Sequence, residues 1–329
     1  MRAARDGRPL LWVSLESADE ARALARLARR AGVRPDVLVR LNPAVAPETA
    51  AALAVGAPGS KFGVLPDELP DLIEAGGRPD GPLRWRGLHV HVGSQLGAVD
   101  AWRAAIRRAL AVLALTGGTL EGFDTLDCGG GFPVAWPGDP APAPESFARE
   151  AAEALSALPP DRQPARLAIE PGRAVVARSG WLVARVLHVR ERVVREPAVA
   201  SEAPPRETAI RQVVLDAGMT ELIRPALYGA RHPVVALTSL GREVEPADES
   251  ESGAWEVRVE GPICESTDTL GLHPLPPLRR GDLVAIAQAG AYASSMSSTY
   301  NGRARAAEVG MDRGALRVLR PRARTRAFR

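Results

Sequence analysis

A chain of 329 residues with 46% apolar and 25% charged side chains can bury a sizeable core and divide into two domains. Its formal charge of +3 is small for this length, and the near-exclusive use of arginine beside abundant Ala, Gly and Pro fits GC-rich coding, so nucleic-acid binding is not indicated. Two cysteines, Cys128 and Cys264, lie far apart without CxxC spacing, and neither an apolar leader nor a run of about 18 apolar residues occurs; no disulfide framework, zinc site, export or membrane insertion is expected, and a reducing cytoplasm fits.

From the N-terminus, short β-rich runs alternate with helical stretches, the pattern of parallel βα units. Strands are predicted over residues 10–15, 36–42, 85–93, 123–129 and 165–172, and amphipathic helices over 18–32 and 101–118, each closed by glycine. Near residue 175 the texture changes to alternating strands such as "WLVARVLHVRERVV" and "WEVRVEG" with few helical patterns. The chain therefore divides into an α/β domain over 1–175 and a β-rich domain over 176–329. Residues 195–209, rich in Pro, Ala and charge, read as a mobile surface loop, and the basic tail "LRPRARTRAFR" as a solvated terminus.

Three first-half motifs fall at the C-terminal ends of predicted strands, where βα barrels place their chemistry. In "HVHVGSQ", strand alternation puts His89 and His91 on one face, with Ser94 in the following turn. An HxH pair can ligate a metal, but no further His or carboxylate cluster is expected to complete such a site, so no metal is assigned. In "DCGGGFP", Gly129, Gly130 and Gly131 let backbone N–H groups approach an anion. In "EPGR", Glu170, Gly172 and Arg173 place a carboxylate and a guanidinium in one tight turn. Together they suit a phosphorylated heteroaromatic cofactor.

With "SKFG", "DAGMTELIRPALYGARHP", "GPICESTDTL" and "GDLVAIAQAGAYASSMSSTYNGRARAAEV", these blocks resemble, in order, the pyridoxal-phosphate-dependent decarboxylases of the alanine-racemase-like barrel fold, diaminopimelate decarboxylase most closely. The resemblance spans residues 10–321 and implies a (β/α)8-type barrel, incomplete at its N-terminal side, followed by a β-rich domain. It implies pyridoxal 5′-phosphate as cofactor. His91 would stack on the pyridine ring, Ser94 and Gly129 to Gly131 would hold the phosphate, Gly172 would join the cofactor set, and Tyr292 would approach from the second domain. Glu170 would pair with the pyridine nitrogen and keep it protonated.

The resemblance further implies removal of one carboxylate from meso-diaminopimelate to give L-lysine. Arg173, Arg224 and Tyr228 would grip the distal carboxylate, Arg224 and Tyr228 sharing a face if "RPALY" is helical. Cys264 would be the proton donor and Glu265 would bind the distal amine, both serving the other subunit of a homodimer. Arg231 stands where an aromatic residue is expected. The alternatives are a sister decarboxylase acting on ornithine, arginine or a carrier-bound substrate, or a non-catalytic cofactor-binding fragment or subunit.

Lys61, the sole lysine, falls in the "SKFG" loop and not in the family's cofactor-lysine segment at the end of the first barrel strand. By family order "LLWVSLES" corresponds to the fourth strand, so the Schiff-base lysine is absent from this chain and a longer native polypeptide is expected. As it stands, five strands would leave open edges at "LLWVSL" and "ARLAIEPG", and activity would be severely reduced.

Overall fold

The computed structural model describes residues 11–49, 53–57, 59–77, 80–135, 140–196, 206–244 and 255–323. They form two compact units, Met1–Ala174 and Val175–Arg329.

The first unit is a parallel sheet of β1 (Val13–Leu15), β2 (Asp36–Arg40), β3 (Arg84–His89), β4 (Thr125–Asp127) and β5 (Arg166–Ala168), ordered as in sequence. Its helices are α1 (Ala18–Ala31), α2 (Leu69–Gly76), α3 (Asp100–Gly117), α4 (Pro144–Ser156) and the short α5 (Gly172–Val176). Helix α1 illustrates the local logic. Ser17 caps its start by accepting from the Glu20 N–H, and Asp19 and Glu20 sit in the first turn, where the helix dipole favours negative charge. Ala21, Ala25 and Ala28 recur at four- and three-residue spacing and are buried, so the small face packs closely. Gly32, at φ 64°, ends the helix in the left-handed conformation and donates its N–H to Ala28 and Arg29 carbonyls.

Leu38, Leu88 and Leu126 are fully buried at the centres of adjacent strands, and Trp102, Phe132 and Phe147 interlock beneath α3 and α4 with centroid separations of 5.1 to 6.4 Å. Among the described residues the edge strands are β1 and β5, as the sequence indicates, and Leu167 in β5 and Ile169 just after it are exposed.

The strand expected over 85–93 ends at His89, because pairing with β2 and β4 stops there; His91 lies in the next loop, beyond the reach of strand alternation. Gly118 does not end α3 in a left-handed cap: its φ is −66°, and the Thr119 and Leu120 amides close a turn on the Thr116 carbonyl. Helices α2 and α4 are additions to the sequence reading; each begins with a proline in its first turn, where a missing N–H costs nothing.

The second unit carries a six-stranded sheet in the order β12-β11-β7-β6-β13-β8. Its strands are β6 (Leu182–Glu196), β7 (Arg206–Leu215), β8 (Val234–Ala236), β11 (Trp255–Glu260), β12 (Thr269–Leu275) and β13 (Leu283–Ile286). Two pairs stand apart: β9 (Thr238–Ser239) with β10 (Arg242–Glu243), and β14 (Glu308–Asp312) with β15 (Ala315–Arg320). Val186, Leu215, Val259, Val284 and Ile286 form the buried face, and α6 (Arg224–Tyr228) is the unit's short helix. Of the loop expected at 195–209, the flanks are strand and residues 197–205 lie outside the described residues, as does the tail from 324.

Candidate active site

The glycine turn after β4 is built against the end of β3. Gly129 has φ 67° and Gly131 φ 101°, and a Cβ on Gly129 would stand 2.1 Å from the Val90 carbonyl oxygen. Only glycine fits. Asp127, buried at the end of β4, accepts the Gly129 N–H at 3.0 Å and a hydrogen bond from the Trp12 indole. The Gly130 N–H donates to His91 Nδ1 at 3.0 Å, which fixes the ring over the turn and requires an unprotonated Nδ1. Burial, reinforced by Arg40 and His89, pushes the His91 pKa down to about 4, so the ring is neutral at pH 7.

The Glu170 N–H is bound to the Gly129 carbonyl at 2.8 Å, which brings the "EPGR" turn to the same place. The Glu170 carboxyl is held above its ordinary range by burial and by Asp127, against an opposing pull from Arg40. Arg173, only 8% exposed, donates from Nη2 to Ser94 Oγ at 2.9 Å. A Cβ on Gly172 would meet nothing within 4 Å, so the backbone there borders open space. Gln95 clips the turn from the other side, accepting the Val134 N–H at 3.3 Å and donating to the Val134 carbonyl at 2.9 Å.

His91, Ser94, Gly129, Gly130, Gly131, Glu170, Gly172 and Arg173 thus gather around the C-terminal ends of β3, β4 and β5. A hydroxyl, a guanidinium, glycine backbone, an imidazole and a carboxylate are the donor set a phosphorylated pyridine requires, and this set fits pyridoxal phosphate. Arg173, expected at the substrate's distal carboxylate, is joined to Ser94. One donor atom each of His89, Asp127 and Glu170 lies within 4.8 Å of the others, a grouping that includes the first histidine of the HxH pair but not His91. His89, Asp127, Glu170 and Arg40 meet because successive parallel strands align their ends, a juxtaposition that no local spacing reveals. Lys61 is exposed in its loop, its Nζ 5.1 Å from the Phe62 ring centroid.

Cys128 is a different case. Burial and Asp127 push its thiol up to about 12, so it stays protonated as a packing residue.

In the second unit, "RPALY" is helical and Arg224 is 3% exposed. Its Nη1 lies 2.8 Å from His232 Nε2, and His232 Nδ1 lies 3.0 Å from the Ala287 carbonyl. The carbonyl can only accept, so the His232 proton is on Nδ1 and Nε2 accepts from Arg224. The exposed Cys264 and Glu265 lie on a loop tied by buried Asp268, which accepts from the Met219 and Ile263 amides at 2.6 and 2.7 Å. The Tyr300 hydroxyl donates to Glu265 Oε1 at 2.5 Å, and Asn301 Nδ2 lies 3.8 Å from Cys264 Sγ. Tyr292 is 47% exposed at φ 61°, an unusual backbone state for a non-glycine residue. Tyr300 and Asn301 escape a motif reading because each acts on a residue more than 30 positions away, and His232 because nothing in its block marks it as a partner of Arg224; "CESTD" was the one visible sign, its last residue being Asp268.

Comparison with known proteins agrees with this geometry. Residues 2–177 match the family model described as pyridoxal-dependent decarboxylase, pyridoxal binding domain. Diaminopimelate decarboxylase of Aquifex aeolicus is 31% identical over 95% of this chain and 68% of its own length. That of Deinococcus radiodurans is 37% identical over 83% of this chain and 61% of its own length. The crystal structure of diaminopimelate decarboxylase from Helicobacter pylori complexed with L-lysine superposes with a TM-score of 0.78 at 28% identity, covering 96% of this chain and 71% of that one. The chain thus spans about two thirds of the length of the relatives it matches, and no helix among its described residues is long and apolar enough to cross a membrane. Barrel-type strand order, the glycine turn with its histidine and carboxylate, and these likenesses together place the chain in the diaminopimelate decarboxylase family of pyridoxal-dependent decarboxylases.

Proposed function

We propose that the protein binds pyridoxal 5′-phosphate in the glycine-lined site of its first unit and serves the decarboxylation of meso-diaminopimelate to L-lysine, in the cytoplasm, as a homodimer. The carrying observation is the convergence of His91, Ser94, Arg173 and Glu170 on one glycine turn. When bound, the cofactor supplies an electron sink for the pair left as carbon dioxide departs. Ser94, held by Arg173, and the amides of Gly129 to Gly131 would hold its phosphate. His91, braced by Gly130, would stack on one face of the ring and shield it from water. Glu170, whose charged form burial disfavours, would face the ring nitrogen and hold a proton there. That pairing matters most as negative charge develops on the ring, the condition for rate acceleration.

Arg173, Arg224 and Tyr228 are assigned to the substrate's distal carboxylate, Glu265 to its distal amine and Cys264 to proton delivery, the last two toward a second copy of the chain. Tyr292 is assigned to the cofactor. The test uses the protein isolated from its own source and supplied with pyridoxal phosphate. Release of carbon dioxide and lysine from meso-diaminopimelate, with Arg224→Ala losing that substrate selectively, is the expected result; release from ornithine or arginine instead would replace it with the sister activity.

A further inference from the structure

We propose that His89 is a positioning residue whose Nε2–H holds the Glu170 carboxylate in the orientation from which it faces the ring nitrogen of the bound cofactor, an inference that rests on the function proposed above. His89 is the last residue of β3 and only 7% exposed. Neither ring nitrogen has a hydrogen-bond partner among the described residues. A buried imidazole in that state is costly, and the structure offers it a nearby acceptor: Glu170 Oε2 lies 3.8 Å from His89 Nε2. The two sides of this gap differ in freedom. His89 is fixed by strand pairing, whereas the Glu170 side chain is 52% exposed on a loop, so a rotation of Glu170 closes the contact without moving the fold.

The charged and titratable groups around His89 come from every neighbouring strand: Glu16 after β1, Arg40 on β2, His91 after β3, Asp127 on β4 and Glu170 after β5. Burial and Arg40 hold His89 neutral. A neutral N–H is the donor this place needs, because it orients the carboxylate while leaving its negative charge for the pyridinium. An imidazolium would compete with that ring proton. His89 does not touch the cofactor in this account; it acts through Glu170.

The full chain is examined by long-range proton–nitrogen NMR of its histidine rings, and by titration with pyridoxine 5′-phosphate, whose lack of an aldehyde removes imine chemistry. The His89 proton is expected on Nε2, with ring shifts that follow the titration of Glu170 and lose that dependence in Glu170→Gln. His89→Phe is expected to weaken pyridoxine 5′-phosphate binding at least about tenfold, the weight of one hydrogen bond to a charged group. It should also move ring protonation of the bound probe, read from its ultraviolet spectrum, to lower pH. His89→Gln, which keeps a donor, should restore most of the affinity, and His89→Phe should add nothing in a Glu170→Gln background. A proton on Nδ1, ring shifts blind to Glu170→Gln, or unchanged binding in a folded His89→Phe would overturn the assignment. Should the unaltered chain bind no probe, the cofactor reading falls, while the tautomer and its dependence on Glu170 still decide the contact.

Discussion

Acidification should open the glycine turn through His91. The imidazole accepts the Gly130 N–H on Nδ1, so a proton there would confront a donor with a donor. The folded ring has its pKa pushed down to about 4 from an ordinary 6.5. Between those values the unfolded chain binds more protons than the folded one, so stability rises with pH across the window. It is fully present above about pH 6.5 and is lost as pH falls through about 4. At about 1.4 kcal/mol for each pH unit, the whole window is worth up to about 3 kcal/mol. Urea unfolding at pH 7, 5.5 and 4, followed by tryptophan fluorescence, would compare the protein with His91→Phe, which keeps an aromatic ring and removes the titration. The unaltered protein should lose up to about 3 kcal/mol more than the variant between pH 7 and pH 4. Parallel pH dependences would refute the reasoning, since Glu16 and the other carboxylates titrate equally in both.

Gly129→Ala forces a left-handed residue to carry a Cβ 2.1 Å from the Val90 carbonyl, so beyond the roughly 1–2 kcal/mol of backbone strain it must displace the turn and abolish cofactor binding; retained binding would remove the cradle argument. Asp268→Asn presents an amide to two N–H donors and should cost about 1–3 kcal/mol by thermal unfolding while speeding reaction of Cys264 with a thiol reagent. Replacing His232 by Leu takes from the buried Arg224 one acceptor and should destabilise the second unit by about 2 kcal/mol, with Gln recovering part of it; equal stability of the Leu and Gln variants would separate His232 from Arg224.

What the sequence disclosed was what repeats or sits in a run. The apolar strand "DVLVR" reads as β2 and the periodic segment closed by Gly32 as α1, and the expected edge strands stand at the sheet's edges among the described residues. The tight turn at Gly129 to Gly131 was legible because a glycine triplet signals positive φ and close backbone approach, both of which the structure has there. What depended on register was hidden. The meeting of His89, Asp127 and Glu170 follows from the alignment of β3, β4 and β5, which no window of the chain contains. The tie of Met219 to Asp268 is likewise invisible, because it joins residues 49 positions apart, whereas Arg224 and His232 lie in one block but carry no pattern that pairs them. The strand at 85–93 was read too long for a related reason: apolar alternation continues past His89, but the partner strands do not.

The central claim, that the turn between β4 and its neighbours is a pyridoxal-phosphate site, is tested most directly by fluorescence titration of the full chain with pyridoxine 5′-phosphate, alone and against inorganic phosphate. The account predicts saturable binding of one molecule per chain, competed by phosphate and weakened at least about tenfold in Arg173→Ala, which loses a charge-assisted contact. Absence of saturable binding, or equal binding in Arg173→Ala, would contradict it.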